Sequence, residues 1–246
     1  AQTIVCTSQN YLDTSQPLSK FRDKCVVIPL GITTEVPPSR PSRQIDNSTQ
    51  TIDQPPAQPN DQLNNSHQLN LLCVGRLTYY KGHAVLLDAI AELTDVHLDI
   101  VGEGEERAVL ESQIASLGLS SRVTLHGQVS DATLTAYMMN TDLLCLPSVE
   151  RTEAFGLVIL EAARCKKPAL VTDVNGSGMS WVVQDGKTGW VVPAGNVDAM
   201  RESLKEIQRN KPVISVLGRA AHERLVSNFP AEGIAKRLVS LYPRAS

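Results

Sequence analysis

The sequence has 246 residues, of which 42% are hydrophobic and 20% are charged, and its formal net charge is -3. This is globular composition, and the length allows one large domain or two smaller ones with a sizeable core. The charge gives no electrostatic basis for nucleic acid binding, and no run of Lys and Arg indicates a membrane surface.

The five cysteines are widely spread, mostly inside apolar runs, and never form a C-x-x-C pair. This pattern predicts reduced cysteines in a cytoplasmic protein. No apolar run approaches 18 residues and no signal peptide is present, so the sequence predicts no integral membrane segment. Because Ala1 leads straight into a strand-like run, we expect the sequence to begin inside a larger protein.

The first part of the chain is predicted to comprise two short regions of different character. Residues 1–32 hold two strand-like runs, Ile4 to Cys6 and Cys25 to Leu30, with a partly helical segment between them. From Val36 to Gln68 the composition changes to Pro, Ser, Gln, Asn and Asp. Too few apolar residues occur there to offset the entropy of ordering, so residues 33–68 are predicted to be a flexible insert.

From residue 69 to residue 246 the pattern becomes regular and predicts a single domain. Short apolar runs alternate with segments of helical period, which indicates βαβ units and a parallel sheet with helices on both faces. The predicted fold class is therefore α/β and Rossmann-like, and ligands of such sheets bind beyond the carboxyl ends of the strands. The predicted strands are Leu69–Val74, Val96–Val101, Val123–Leu125, Leu143–Leu146 and Pro168–Val171.

Two cations follow the first of these strands. The loop after Val74 contains Arg76 and Lys81 between Gly75 and Gly82. The planar fork of Arg and the point charge of Lys suit the oxygens of a diphosphate. A solvated loop that happens to carry two charges is the alternative.

The next two strand ends are less specific. Gly102-Glu-Gly104 lacks the third glycine of a dinucleotide fingerprint, so its acidic neighbours are expected to serve the dipole of the following helix. After the third strand comes Gly127-Gln128-Val129, followed by Ser130 and Asp131, either of which can cap a helix. The same loop could hold the edge of a base with its backbone groups.

The segment from Pro147 to Ala163, PSVERTEAFGLVILEAA, is the most informative stretch. Its helix is apolar on most of its circumference, so it is predicted to be largely buried, and the carboxylate of Glu161 within it needs a partner. Glu153 lies eight positions earlier, or about 12 Å away along a helix axis. A retaining glycoside hydrolase needs its two carboxyl groups about 5 to 5.5 Å apart, so this pair does not suit one.

The same spacing suits the two ends of one nucleotide sugar. One carboxylate can accept ribose hydroxyls while the other lies near the sugar. The amides of Gly156, Leu157 and Val158 at the helix N-terminus can face the diphosphate between them.

The sequence resembles the C-terminal, donor-binding half of the retaining GT-B glycosyltransferases of family 4, the glycosyl transferases group 1. The resemblance covers residues 1–32 and 69–241. It is carried by the segments Ile28-Pro-Leu-Gly-Ile32, Val74-Gly-Arg-Leu77 with Lys81-Gly82, Val101-Gly-Glu-Gly104, Leu125-His-Gly-Gln-Val129, Leu146-Pro-Ser148, Glu153-Ala-Phe-Gly-Leu-Val158 with Glu161-Ala162, and Asp185-Gly-Lys-Thr-Gly189.

The resemblance implies roles for individual residues. Arg76 and Lys81 would bind the donor diphosphate, Glu161 the ribose, and Glu153 would lie beside the donor sugar. The implied catalytic residues are Glu153, Arg76 and Lys81. The implied donor-binding residues are Gly75, Arg76, Lys81, Gly127, Gln128, Val129, Glu153, Phe155, Gly156, Leu157, Val158 and Glu161.

The implied reaction is transfer of a hexose from a UDP- or GDP-hexose to a saccharide or lipid-linked acceptor with retention of configuration. The leaving phosphate would take the acceptor proton, so electrostatic stabilisation carries most of the catalysis. No cofactor and no metal are expected, and the sequence has no D-x-D triplet.

The resemblance also implies a missing part. The N-terminal acceptor domain of the family, with its glycine-rich loop and catalytic His, is almost wholly absent, and residues 1–32 resemble its end and the interdomain connector. The five histidines are interpreted as ordinary surface or core residues. The fragment alone is therefore expected to be inactive, and the full protein to be cytoplasmic or peripheral at a membrane through that domain.

Two alternatives remain: a non-catalytic nucleotide-sugar binding module or subunit of a two-chain transferase, and a relic with an empty site.

Overall fold

The chain is described here by a computed structural model that covers residues 2–36 and 68–242. It starts with a small parallel pair of strands joined by two helical segments. These elements are β1 (Ile4–Cys6), α1 (Gln9–Thr14), a 3₁₀ helix (Gln16–Lys24) and β2 (Cys25–Val27). Most of the predicted insert, residues 37–67, lies outside the described residues, so the insert stays a prediction.

The rest of the described chain alternates between strands and helices. The strands are β3 (Leu69–Val74), β4 (Val96–Val101), β5 (Val123–Gly127), β6 (Leu143–Leu146), β7 (Ala169–Thr172) and β8 (Gly189–Val192). The helices are α2 (His83–Ile90), α3 (Arg107–Ser116), α4 (Asp131–Asn140), α5 (Leu157–Arg164), α6 (Met179–Val182), α7 (Val197–Arg209), α8 (Pro212–Asn228) and α9 (Ala231–Val239).

The six strands form one parallel sheet in the order β5-β4-β3-β6-β7-β8. Strands are added on one side of β3 as far as β5, and the chain then crosses to the other side of β3 to form β6. This confirms the α/β class and the Rossmann-like order. The order reverses between β3 and β6, which is where ligands of such sheets bind.

Two apolar cores cover the two faces of the sheet. Alternate residues of β3 separate accordingly, with Leu71 and Cys73 in one core and Leu72 in the other. The first core is closed mainly by α2, α3 and α7, and the second by α4, α5, α6 and α8. Helices that flank the sheet on both faces leave its carboxyl edge as the accessible place for a site.

Some expectations about individual elements need correction. The helical spacing of Val213, Leu217 and Ala221 predicts an apolar face of α8 that includes Val213. The structure buries Ile214 at this point and leaves Val213 half-buried. α9 buries none of its residues in the described chain, although Ile234 and Leu238 keep helical spacing. Arg237 of α9 donates from Nη2 to the carbonyl of Val27 at 2.8 Å, so this helix returns to the small β1–β2 unit.

All five cysteines lie among the described residues and all are free thiols, as predicted. Burial raises the pKa of the Cys73 thiol to about 12, with Lys81 opposing the rise and Glu153 adding to it. A thiolate nucleophile at the centre of the sheet is therefore excluded.

Within the two described ranges, no helix is both long and apolar enough to cross a bilayer.

Gly82, in the segment that follows β3, packs closely against the loop that follows β6. It has a left-handed φ of 70°, and an added Cβ would lie 2.1 Å from the carbonyl oxygen of Pro147. Gly186 has a similar φ of 66°, but nothing lies within 4 Å of its Cβ position. The two glycines share a backbone conformation and differ in the space around them.

We expect Gly82→Ala to destabilise the protein more than Gly186→Ala. Backbone strain should lower the free energy of unfolding of each variant by on the order of 1 kcal/mol. Overpacking against Pro147 should lower it by about a further 1 to 3 kcal/mol in Gly82→Ala only. Urea unfolding of both variants measures the difference. Equal losses of stability would show that the loops after β3 and β6 can move apart to accommodate the added methyl group.

Candidate functional site at the strand-order reversal

Backbone hydrogen bonds join the loops at the carboxyl edge of the sheet into one rim. Leu77 donates to the carbonyl of Glu103 at 2.9 Å, which ties the loop after β3 to the loop after β4. Gly102 donates to the carbonyl of Gly127 at 2.8 Å, which extends the rim to β5. The loop after β6 joins on the other side, where the amide of Val149 donates to the carbonyl of Tyr80 at 2.8 Å.

An ion pair spans the point where the strand order reverses. The Nζ of Lys81, after β3, contacts Oε2 of Glu153, after β6. Their side chains are only 14% and 13% exposed, so the pair is shielded from water far better than a surface salt bridge. The structure thus brings together two of the three residues implied as catalytic, of which the resemblance implied that Lys81 binds the diphosphate and that Glu153 lies beside the sugar.

Gly75 makes room for this lysine. A Cβ at Gly75 would lie 2.9 Å from Nζ of Lys81, so the lysine side chain folds back over the glycine. Arg76 extends into solvent instead, and it forms no ion pair with any residue in the described ranges. The Arg76 guanidinium is therefore available to an anion that approaches the rim.

The start of α5 offers hydrogen-bond donors to the same place. Gly156 precedes the helix with a φ of 77°. Its own amide and those of Leu157 and Val158 donate to no acceptor within the described chain. Leu157 is 43% exposed, so the prediction that this helix is buried on most of its circumference is wrong at its first turn. The exposure follows from the position of that turn at the open edge of the sheet, where anions can reach free amides.

Glu161 lies one turn further along α5 and has the isolation that the sequence predicted. It is half-buried, and its carboxylate forms neither a hydrogen bond nor an ion pair within the residues described. Burial raises the pKa of Glu161, with Arg164 opposing the shift and Asp131 at the start of α4 adding to it. A ligand that donates hydrogen bonds from hydroxyls would satisfy this carboxylate.

The loop after β5 leads directly into α4. Gly127 ends the strand with a φ of 73°, Gln128 is exposed and Val129 is half-buried. Ser130 caps α4, as predicted, by accepting a hydrogen bond from the amide of Thr133 at 3.2 Å. The cap fixes this loop at the start of α4.

One predicted donor contact has a different position. The side chain of Phe155 is only 4% exposed and packs into the core below α5. Its ring therefore supports the start of the helix, and only its backbone is placed to meet a ligand.

A chain of three polar side chains, which the sequence did not reveal, supports the loop after β5. His126 Nε2 lies 2.5 Å from Asp99 Oδ1, and the hydroxyl of Tyr137 lies 2.9 Å from His126 Nδ1. Asp99, His126 and Tyr137 belong to β4, β5 and α4. They fix α4 against the edge of the sheet directly beside Gly127.

His83, the first residue of α2, is buried beside the site. It is 2% exposed, and neither ring nitrogen has a hydrogen-bond partner among the described residues. Burial and, to a smaller extent, the neighbouring charge of Lys81 together lower the pKa of His83 to about 4. The imidazole is therefore neutral at physiological pH.

We expect His83 to make stability depend on pH in a defined window. Its pKa is depressed in the folded state, so its contribution to stability is complete above about pH 6.5 and is lost as the pH falls towards 4. Relative to a His83→Leu variant, the wild type should lose about 3 kcal/mol across that range. Urea unfolding from pH 7 to pH 4 measures this difference.

His97 provides the matched control because its side chain is exposed on β4. A His97→Gln variant should follow the wild-type pH dependence. If His83→Leu follows it as well, the imidazole is not desolvated in solution.

Comparisons with known proteins agree with this fold. The family model described as "Glycosyl transferases group 1" matches residues 56–224. The chain is 30% identical over 239 residues to the O-antigen chain mannosyltransferase C of Escherichia coli, covering 97% of the chain and 60% of that protein. It is 32% identical over 228 residues to the D-rhamnosyltransferase WbpZ of Pseudomonas aeruginosa, covering 93% of the chain and 55% of the relative.

Solved structures show the same architecture. Sucrose-phosphate synthase from Thermosynechococcus elongatus superposes with a TM-score of 0.78 at 25% identity, covering 98% of this chain and 58% of that one. HepE of Anabaena, solved with UDP and glucose, gives a TM-score of 0.76 at 21% identity, covering 98% of this chain and 62% of the other. This chain thus spans about 60% of the length of the proteins it matches, and it belongs to the glycosyl transferases group 1 family.

Proposed function

We propose that this chain supplies the donor site of a retaining hexosyltransferase that uses a UDP- or GDP-hexose. The observation that carries the proposal is the convergence, at the strand-order reversal, of Lys81, Arg76 and the free amides that begin α5. Cations and amides of this kind suit a diphosphate. The half-buried, unpaired Glu161 lies one turn further along, where a ribose would follow.

The proposed chemistry follows from the charges in the site. The donor diphosphate is the leaving group, and Arg76, Lys81 and the amides of Gly156, Leu157 and Val158 stabilise its developing charge. The departing phosphate accepts the acceptor proton while the new glycosidic bond forms on the same face of the sugar, which retains the configuration. Glu153 holds Lys81 in place and lies beside the hexose. These groups meet the charge of the leaving phosphate, so we propose that no metal is required.

The relatives suggest the kind of acceptor. The matched proteins from Escherichia coli and Pseudomonas aeruginosa are named as an O-antigen mannosyltransferase and a D-rhamnosyltransferase. We therefore propose a saccharide or lipid-linked saccharide of a surface polysaccharide as the acceptor. Because the chain spans about 60% of these relatives, the acceptor and the complete reaction are proposed for the whole protein.

We expect titration calorimetry with UDP-glucose and GDP-mannose to show binding of at least one donor. Arg76→Ala and Glu161→Ala should each weaken that binding about tenfold, or about 1.4 kcal/mol, because each removes a group that has no partner until the ligand arrives. Arg209→Ala and Glu206→Ala change the same residue types on the exposed side of α7 and should leave affinity unchanged. Unchanged affinity in both site variants would refute the site assignment.

We also expect the 246 residues alone to bind a donor and to transfer little sugar. The site described above contains groups for the diphosphate, the ribose and the hexose, and none of them is assigned to an acceptor. A radiolabelled transfer assay with a lipid-linked acceptor measures turnover. Robust turnover by the purified chain would contradict this expectation, whereas donor binding without turnover in the whole protein would favour a nucleotide-sugar binding module.

A further inference from the structure

Three aromatic rings form a cluster below the start of α5. The centroids of Phe155 and Phe229 are 6.2 Å apart with the rings at 78°, and those of Trp181 and Phe229 are 5.7 Å apart at 83°. Phe155 and Trp181 complete the triangle at 6.5 Å. Edge-to-face contacts at these distances add an orientation-dependent attraction to the free energy gained by burying the rings. The ring of Phe229, which is 1% exposed, makes the two shortest contacts of the triangle.

Arg224 fixes this ring from the side of α8. Its guanidinium carbon lies 5.4 Å from the centroid of Phe229. The same guanidinium donates from Nε to the carbonyl of Val182 and from Nη2 to that of Trp181, both at 2.9 Å. Desolvation lowers the pKa of Arg224, but an arginine remains charged. The cation therefore joins α6 and Phe229 into one unit.

The backbone of Phe229 lies where the chain passes between the large sheet domain and the β1–β2 unit. The amide of Ile32 donates to the carbonyl of Phe229 at 3.1 Å, and the amide of Ala231 donates to the carbonyl of Ile32 at 2.9 Å. Residues 28–32 lead away from β2, and residues 229–231 lead into α9, which contacts β2 again. Both chain crossings therefore meet at Phe229.

The other side of the cluster reaches the candidate site. Phe155 directly precedes Gly156, the residue before α5, and follows Glu153 by two positions. The amide of Gly178, one residue before α6, donates to the carbonyl of Ala154 at 2.8 Å. A rotation or shift of the Phe155 ring would therefore move the segment that carries both Glu153 and the free amides.

We propose that Phe229 is a positioning residue of the donor site, which acts through Phe155. Its ring holds the Phe155 ring in the edge-to-face arrangement, and this fixes the direction of the amides of Gly156, Leu157 and Val158. Its backbone joins the same arrangement to the chain crossing at Ile32. Phe229 touches no ligand itself. The effect on donor binding rests on the proposed function, whereas the effect on the helix start does not.

Phe229→Leu tests the proposal in the chain as it exists. Amide resonances of Gly156, Leu157 and Val158 should shift in the ligand-free ¹H–¹⁵N spectrum, and the affinity for UDP-glucose or GDP-mannose should fall about tenfold. Leu204→Ala is the control because Leu204 is fully buried in the core on the opposite face of the sheet. It should lower stability without moving those resonances or the affinity. If Phe229→Leu fails to fold, Phe229→Met keeps most of the buried volume, removes the ring, and should produce the same shifts.

The outcomes separate the two proposals. If the wild type binds a donor and the Phe229 variants bind it equally well with unshifted amides, the positioning role is overturned and the proposed function stands. If the wild type binds neither nucleotide sugar, the proposed function fails, and the ligand-free amide shifts still decide whether Phe229 positions the start of α5. Equal shifts in Leu204→Ala would also overturn the proposal, because they would show a general loosening of the fold.

Discussion

The contact between Lys81 and Glu153 is the interaction on which the candidate site depends. The two residues belong to loops that follow β3 and β6. These strands lie side by side although 68 residues lie between the end of β3 and the start of β6. Only the reversal of strand order brings these loops together. The close approach of Gly82 to Pro147 and the hydrogen bond from Val149 to Tyr80 hold the same two loops in contact. The ion pair thus results from the strand order of the sheet, and the loops after β4 and β6 are hydrogen-bonded to the loop that carries Lys81.

Much of the fold could be predicted from the sequence because the periodicities are local. Alternation of apolar runs with helical segments gave the parallel sheet, and the boundaries of β3, β4 and β6 match the observed strands. Periodicity did not resolve whether Val213 or Ile214 is buried at the start of α8, since both are apolar and adjacent. Periodicity also did not show that, within the described chain, no residue of α9 is buried. An apolar face does not by itself indicate what covers it.

The sequence could suggest residue types for the candidate site but not the contacts among them. Glu161 was expected to need a partner because of its apolar neighbours, and it is indeed unpaired in the described structure. The pairing of Lys81 with Glu153 could not be read from spacing, because it depends on how two distant loops fold over the sheet edge. The same holds for the contact of Phe155 with Phe229, whose partners are far apart in sequence and are joined only by packing.

The ion pair also determines how the free site is charged. Because Glu153 already neutralises the ammonium of Lys81, the interior of the rim carries its own counter-ion before any ligand binds. The attraction felt by an approaching anion then comes from Arg76 and from the amides at the start of α5, which have no internal partner. Any anion that is to contact the ammonium of Lys81 must therefore compete with the carboxylate of Glu153, which already holds it.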